Sequence, residues 1–396
     1  MVPNGWEVKK LNELCEINPK KPSKPSDELV SFISMSQVSE DGQIISTETK
    51  TYDEVSKGFT SFKDKDVLVA KITPCFENGK GALAHTLVNG IGFGSTEFHV
   101  LRAKETTDPK FIYYLTRTDA FRAKGTMNMQ GSAGHRRVTT DFIQVYKINT
   151  PPLPEQQKIA KILSTWDKAI STTERLIDNS TQQKKALMQQ LLTGKKRLLD
   201  ESGKQFKGEW EEVKLSAVAQ ITMGSSPKSE AYNDAGDGLP LLQGNADIKN
   251  RKSVPRIYTS QITKECHVDD ILFSVRAPVG TVAISNHHAC IGRGIAAIKA
   301  KKNHSQDYLY QWLLSFETKW ERYSQGSTFE AVNSNDIKSL NLSVPNFKEQ
   351  QKIAAVLTNA DKEIELLEQQ LTNLQQEKKA LMQVLLTGKK RVVVDG

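Results

Sequence analysis

No apolar run in this chain approaches the ~20 residues a membrane-spanning helix needs, and the opening MVPNGWEVKK lacks the apolar stretch of a secretory leader. The expectation is therefore a cytoplasmic protein with no membrane partner. Cysteine is scarce too. Cys15, Cys75, Cys266 and Cys290 stand far apart without the spacing of a disulfide framework, which fits a reducing compartment. Catalytic signatures are missing: there is no GxxxxGKS/T phosphate loop, no HExxH and no GxSxG. TPPL at 150–153 lacks the polar first residue and the aromatic of an amino-methyltransferase tetrapeptide. GRGIAA at 292–297 imitates a dinucleotide loop, but no clear βαβ unit surrounds it. Cys266-His267 and His287-His288-x-Cys290 match no zinc-finger spacing, and buried thiols with surface histidines account for them. No catalytic residue, metal or cofactor is therefore expected in this chain.

What the chain does contain is a repeat. EQQKIA at 155–160 returns at 349–354, KKALMQ at 184–189 returns at 378–383, and LLTGKKR at 191–197 returns at 385–391. All matches share one offset of 194 residues, and 26 of the 43 paired positions are identical. Such self-similarity fixes an architecture. Each copy reads as a long helix. Ile159, Leu163, Trp166, Ile170, Thr173, Ile177, Ser180, Lys184, Leu187 and Leu191 alternate spacings of four and three, and Ile353 to Leu385 repeat the track. That is a heptad seam. Pro154 suits a first helical turn, Asn346 with Glu349 has capping-box spacing, and Gly194 and Gly388 suit left-handed ends. Forty helical residues span roughly 60 Å and cannot bury a seam alone. The two copies are therefore expected to pack on each other, with large Trp166 facing small Ala360. Lys184 and Lys378, inside the seam, either snorkel outward or meet an outside partner.

The rest of the chain repeats in outline. WEVKKLNELCEI at 6–17 is echoed by WEEVKLSAVAQI at 210–221, the helical stretch 111–124 by 306–320, and QGSAGHRRVTTDF at 130–142 by QGSTFEAVNSNDI at 325–337. Short β-branched runs between Gly- and Asn-rich turns predict small, irregular sheets. The expected class is α+β: a first globular block at 1–150, a central helix at 151–197, a linker and second block at 198–345, and a C-terminal helix at 346–396. The chain is too long for one ordinary core. The helices keep one sequence, as a shared scaffold needs, and the blocks differ in side chains, as modules with different ligands would. A net charge of +8 is compatible with nucleic acid without establishing it.

With PPLPEQQKIA, KKALMQQLLTGKKR, VPNFKEQQKIA, KKALMQVLLTGKKR, the two block openings, and KITPCFENGKGA, GFGSTEF, GSAGHRRV and GSTFEAV in place, the chain resembles the specificity subunit of type I restriction–modification systems over nearly its whole length. The resemblance implies two target recognition domains, each reading one half of a split double-stranded DNA site, and two antiparallel coiled-coil helices between them, a tandem repeat of pseudo-two-fold character. It implies two methyltransferase subunits and two restriction subunits as partners, with S-adenosylmethionine, ATP and Mg²⁺ bound by those partners. Contacts the family makes through a longer N-terminal extension are in doubt.

Arginine to guanine and Asn or Gln to adenine are the favoured major-groove pairings. The DNA-reading candidates are Asn78, Lys80, Gln130, His135, Arg136 and Arg137 in the first block, and Gln243, Asn245, Lys249, Arg251, Lys252, Arg276 and Arg293 in the second. The lysines are expected mainly on phosphates. Charged residues shared by both helices are the candidate partner contacts: Lys158 and Lys352, Lys168 and Lys362, Glu174 and Glu368, Lys185 and Lys379. Two other classes compete with DNA reading: a coiled-coil adaptor binding proteins at both ends, and an enzyme in its own right.

Overall fold

The structure, a computed structural model, describes residues 2–132, 134–325 and 332–394. Its contacts group the chain into two units, Met1–Glu174 with Gln370–Gly396, and Arg175–Gln369. Each unit therefore contains one globular block, the end of one long helix and the start of the other. This grouping differs from division at the block borders, because each block needs both helices to cover its core.

In unit 1 an antiparallel sheet runs in the order Cys15–Ile17, Phe98–Ala103, Val67–Ala70, Gly81–Leu83. Val67–Ala70 is buried throughout, as a continuous apolar strand should be. A second sheet, Glu48–Thr51, Leu29–Ile33, Ile91–Gly94, Thr60–Lys63, contains one parallel pairing, Phe32 with Phe93. Glu7–Lys10 pairs with Lys147–Thr150, the strand that feeds the first long helix. Unit 2 follows the same plan. Ala219–Met223, Ile295–Ala300, Ile271–Ser274 and Val282–Ile284 form the first sheet, extended by the small hairpin Ile248–Lys249 and Lys252–Ser253. Leu239–Leu242 pairs in parallel with Ala289–Ile291 in the second. Glu211–Lys214 pairs with Asn341–Val344, which feeds the second long helix.

The long helices are Leu153–Leu191 and Phe347–Leu385. They stop at Leu191 and Leu385, and the GKKR segments form turns, with Gly194 and Gly388 at φ of +69° and +72°. Each glycine also lies where a Cβ would crowd a tryptophan ring, Trp210 and Trp6 respectively. Asn346 caps the second helix by accepting from the Glu349 N–H at 3.1 Å. Every seam position of both helices is buried or half-buried, whereas Lys161, Lys168 and Glu174 on the flanks are exposed. In unit 1 Ile159 and Leu163 share a core with Leu385 and Leu386. In unit 2 Leu191 and Leu192 share one with Ile353 and Leu357. In both, advance along one helix matches retreat along the other, so the paired segments are antiparallel.

Two expectations need correction. Lys184 and Lys378 neither escape the seam nor wait for an outside partner: Lys184 pairs with Asp361, and Lys378 with Asp167, on the facing helix. Trp166 and Ala360 do not face each other. They flank Asp167 and Asp361, which belong to different units, because antiparallel pairing puts each residue against the far end of the other copy.

Candidate nucleic-acid interface

In unit 1 the segment Lys71–Lys80 leaves a buried strand and turns back on itself, with Asn78 N–H donating to Pro74 O at 2.9 Å and Lys80 N–H to Cys75 O at 2.9 Å. Its Thr73–Pro74 bond is cis, as is Ala277–Pro278 in unit 2. Two guanidinium groups hold the loop from behind. Arg122 donates to Phe76 O at 3.0 Å and Gly79 O at 3.2 Å, and Arg117 donates to Gly79 O at 3.2 Å. Burial, with Arg117 nearby, pushes the Arg122 pKa down to about 9, which leaves it charged at neutral pH. Sequence reasoning missed both arginines, because nothing in a helix pattern marks residues that grip carbonyls of a distant loop.

The hairpin Met129–Gln130 and Arg137–Val138 is stitched to this loop: Thr73 N–H donates to Arg136 O at 3.0 Å, and Val138 N–H to Lys71 O at 3.0 Å. Loop and hairpin thus form one surface. On it Gln130 and His135 are exposed. Arg136 lies 3.7 Å from Glu77. Arg137 forks onto Glu97 at 2.7–3.0 Å. Asn78 and Lys80 turn the other way, Asn78 donating to Glu40 Oε1 at 2.8 Å and Lys80 to Met35 O at 3.2 Å. Ala133, in the middle of GSAGHRRV, lies outside the described residues.

Unit 2 builds the matching surface from other side chains. Val332 N–H donates to Val275 O at 2.9 Å, the counterpart of Val138 on Lys71. The stretch 326–331 before it, which holds most of GSTFEAV, lies outside the described residues. Arg276 is exposed and has no ion pair among the described residues. Asn245 donates to Ser274 Oγ at 3.1 Å and Pro278 O at 2.8 Å, so it fastens the 274–278 turn. Gln243 is half-buried and donates to Tyr232 Oη at 2.9 Å. Lys249 and Lys252 stand opposite each other across a hairpin, exposed, with Asn250 and Arg251 at its corner in left-handed backbone. The Arg251 fork is occupied by Glu317, with a further bond to Val282 O at 3.1 Å. Arg293 is exposed and touches Ser226 Oγ at 3.3 Å. Of the candidates in this unit, Lys249, Lys252, Arg276 and Arg293 are exposed without a carboxylate partner among the described residues, whereas Gln243, Asn245 and Arg251 have intramolecular work.

Among the helix residues, Lys168, Glu174, Lys185, Lys352, Lys362 and Glu368 are exposed and Lys158 is half-exposed. Lys379 is ion-paired with Asp119 at 3.1 Å. No described helix is long and apolar enough to cross a membrane.

The model of the type I restriction modification DNA specificity domain matches twice, at residues 3–179 and 207–376. The chain is 30% identical over 406 residues to a protein assigned as the MjaX type I restriction enzyme specificity subunit of Methanocaldococcus jannaschii, covering 99% of this chain and 95% of that one. A solved structure from work on the assembly and conformational transition of the type I restriction–modification system aligns at TM-score 0.63 and 27% identity, covering 98% of this chain and all of the other. The crystal structure of the HsdS subunit from Thermoanaerobacter tengcongensis aligns at TM-score 0.53 and 26% identity, over 98% of both chains.

Proposed function

This chain belongs to the type I restriction–modification specificity subunits, and from that premise we propose that its two units read the two halves of one split double-stranded DNA site. The observation that supports this is the division of labour inside each unit. The contacts that close the helix ends are duplicated, and the loops standing on them are not. In the first unit the 130–137 hairpin supplies the base contacts, with Gln130, His135 and Arg136 offering the donors that guanine and adenine edges accept, and Arg137 joining them on release of its Glu97 fork. In the second, Lys249, Lys252, Arg276 and Arg293 approach the duplex, the lysines chiefly on phosphates.

The chain carries no catalytic step in this proposal. Two methyltransferase subunits dock on equivalent faces of the helix pair, through the exposed charges that both copies share. Two restriction subunits complete the assembly. S-adenosylmethionine, ATP and Mg²⁺ sit on those partners. The test is to express the chain with its cognate methyltransferase and map methylated adenines across the host genome. A two-part motif with a fixed gap is the expected result. A contiguous motif, or methylation without sequence preference, would defeat the proposal.

A further inference from the structure

Strands Glu265–Cys266 and Ala289–Ile291 pair antiparallel, with Cys266 opposite Ala289. One step along that register, His267 comes opposite His288. Side chains alternate across a strand, so Cys266 goes fully inside while Glu265 and His267 stay outside. The same alternation separates the thiols from the imidazoles, so a mixed cysteine–histidine set does not form. A different set does. The His267 and His288 rings stack with centroids 4.8 Å apart and planes 10° apart. His288 Nε2 is 2.6 Å from Glu265 Oε2. One ligand atom from each of Glu265, His267 and His288 lies within 4.8 Å of the others. Beside them Asp270 accepts from the His267 backbone N–H at 2.8 Å, and its carboxylate is 3.9 Å from His267 Nδ1.

We propose that Glu265, His267 and His288 form a surface site for a divalent ion of the zinc class on the second recognition block. Two neutral imidazoles and one carboxylate are a borderline ligand set. They suit zinc, nickel or copper, whereas magnesium and calcium favour all-oxygen shells. Three protein ligands leave the fourth tetrahedral position to water, and metal–nitrogen bonds of about 2.0–2.1 Å draw the three side chains inward by rotamer changes that their exposure permits. Asp270, 3.9 Å from His267 Nδ1, is the nearby carboxylate that can turn to orient a ligating His267 through its other ring nitrogen. The ion would tie the edge strand Glu265–Cys266 to its one neighbour in the sheet, Ala289–Ile291. His287 is turned elsewhere, with Nδ1 2.7 Å from Ser253 Oγ.

Calorimetric titration of the full chain with Zn²⁺, and separately with Mg²⁺, tests the site in the wild type and in H267A, H288A, E265Q and H85A. His85 is an exposed histidine outside the cluster and serves as the control. The wild type and H85A should bind one equivalent of Zn²⁺ and no Mg²⁺. H267A and H288A should lose that equivalent with unchanged circular dichroism, and E265Q should bind more weakly. Zn²⁺ should also slow hydrogen exchange across residues 264–268 in the wild type only. Zn²⁺ binding that survives both histidine substitutions, or a wild type that takes up none at millimolar Zn²⁺, would overturn the proposal.

Discussion

In unit 1 Asp167 accepts from Tyr114 Oη at 2.5 Å and pairs with Lys378; in unit 2 Asp361, 194 positions on, accepts from Gln311 Nε2 at 2.7 Å and pairs with Lys184. Gln156 Oε1 accepts from the Asp108 N–H at 3.0 Å, and Gln350 Oε1 from the Ser305 N–H at 3.0 Å. Glu155 takes the Arg391 fork at 2.7 and 2.8 Å, and Glu349 the Arg197 fork at 2.5 and 2.6 Å. Helix-borne groups are thus identical in the two units, and the groups that meet them from the blocks are free to change, Tyr114 for Gln311. Trp6 donates to Glu155 at 3.0 Å, whereas the buried indole nitrogen of Trp210 has no hydrogen-bond partner among the described residues. The difference teaches where sequence freedom begins: one layer outward from the helix pair. Farther out, both surfaces carry arginines paired with carboxylates, Arg137 with Glu97 in the first block and Arg251 with Glu317 in the second, but on different hairpins.

The sharpest way to break this comparison is to move the helix ends together. Seven residues inserted at the same place in both helices keep the seam in phase and lengthen each helix by roughly 10 Å. The gap in the recognised site should then grow by about three base pairs at ~3.4 Å each, and methylation at the original site should cease. Methylation mapping checks it, and an unchanged gap in an active protein would remove the helices' role as spacer.

Next in size is Glu349→Ala. Its carboxylate is fully buried, and its partner Arg197 is 19% exposed. Removing one member of such a pair costs about 3–5 kcal/mol. Hydrogen exchange should quicken in residues 305–316 and 347–360, with 108–127 and 153–165 unaffected. Glu155→Ala should do the reverse and do less, since Arg391 is 43% exposed. Equal effects would mean the two closures differ in geometry only.

Arg136→Ala with Arg137→Ala should weaken one half-site by roughly 1–3 kcal/mol for each bidentate arginine–base pairing removed, and leave the other half-site untouched. Binding to duplexes mutated in one half at a time measures this. Equal weakening at both halves would assign these arginines to phosphates or to holding Glu77 and Glu97.

The smallest effect is acid sensitivity. Burial raises the Glu155 pKa, but the Arg391 fork and the Trp6 N–H outweigh it and hold the carboxyl below the ordinary range. The folded value lies below the unfolded one, so this contribution is complete above the unfolded value of about 4.3 and is lost as pH falls through the folded value. Glu155→Gln should therefore flatten the stability of unit 1 against pH over roughly pH 5 to pH 3. Thermal melts across that range would show an unchanged slope if the pair did not matter.

Much of this was legible because a heptad seam and a repeat are local patterns. Helix seams, the left-handed ends at Gly194 and Gly388, and the Asn346 cap all follow from spacing. The Glu155–Arg391 and Glu349–Arg197 pairs had a signal as well, two charged residues kept in both copies at opposite ends of a helix. It becomes visible only once the helices are taken as antiparallel. The loop surfaces were less legible. Asn245 and Arg251 have the chemistry of base readers, yet three-dimensional neighbours use them inside the fold. No one-dimensional pattern reveals that Glu317 lies opposite Arg251.

Arg391 also donates to Asn4 O, as Arg197 does to Gly208 O, 204 positions after Asn4. The stretch between Arg197 and Gly208 in one unit thus corresponds to the stretches next to Arg391 and Asn4 in the other. Ten residues, 198–207, bridge Arg197 to Gly208, and the eight residues 392–396 and 1–3 would bridge Arg391 to Asn4 if residue 396 were fused to residue 1. A circular permutant closed there and opened within 199–206 would place the second recognition block first, keep each long helix whole, and retain all four helix-end contacts made by Glu155, Arg391, Glu349 and Arg197.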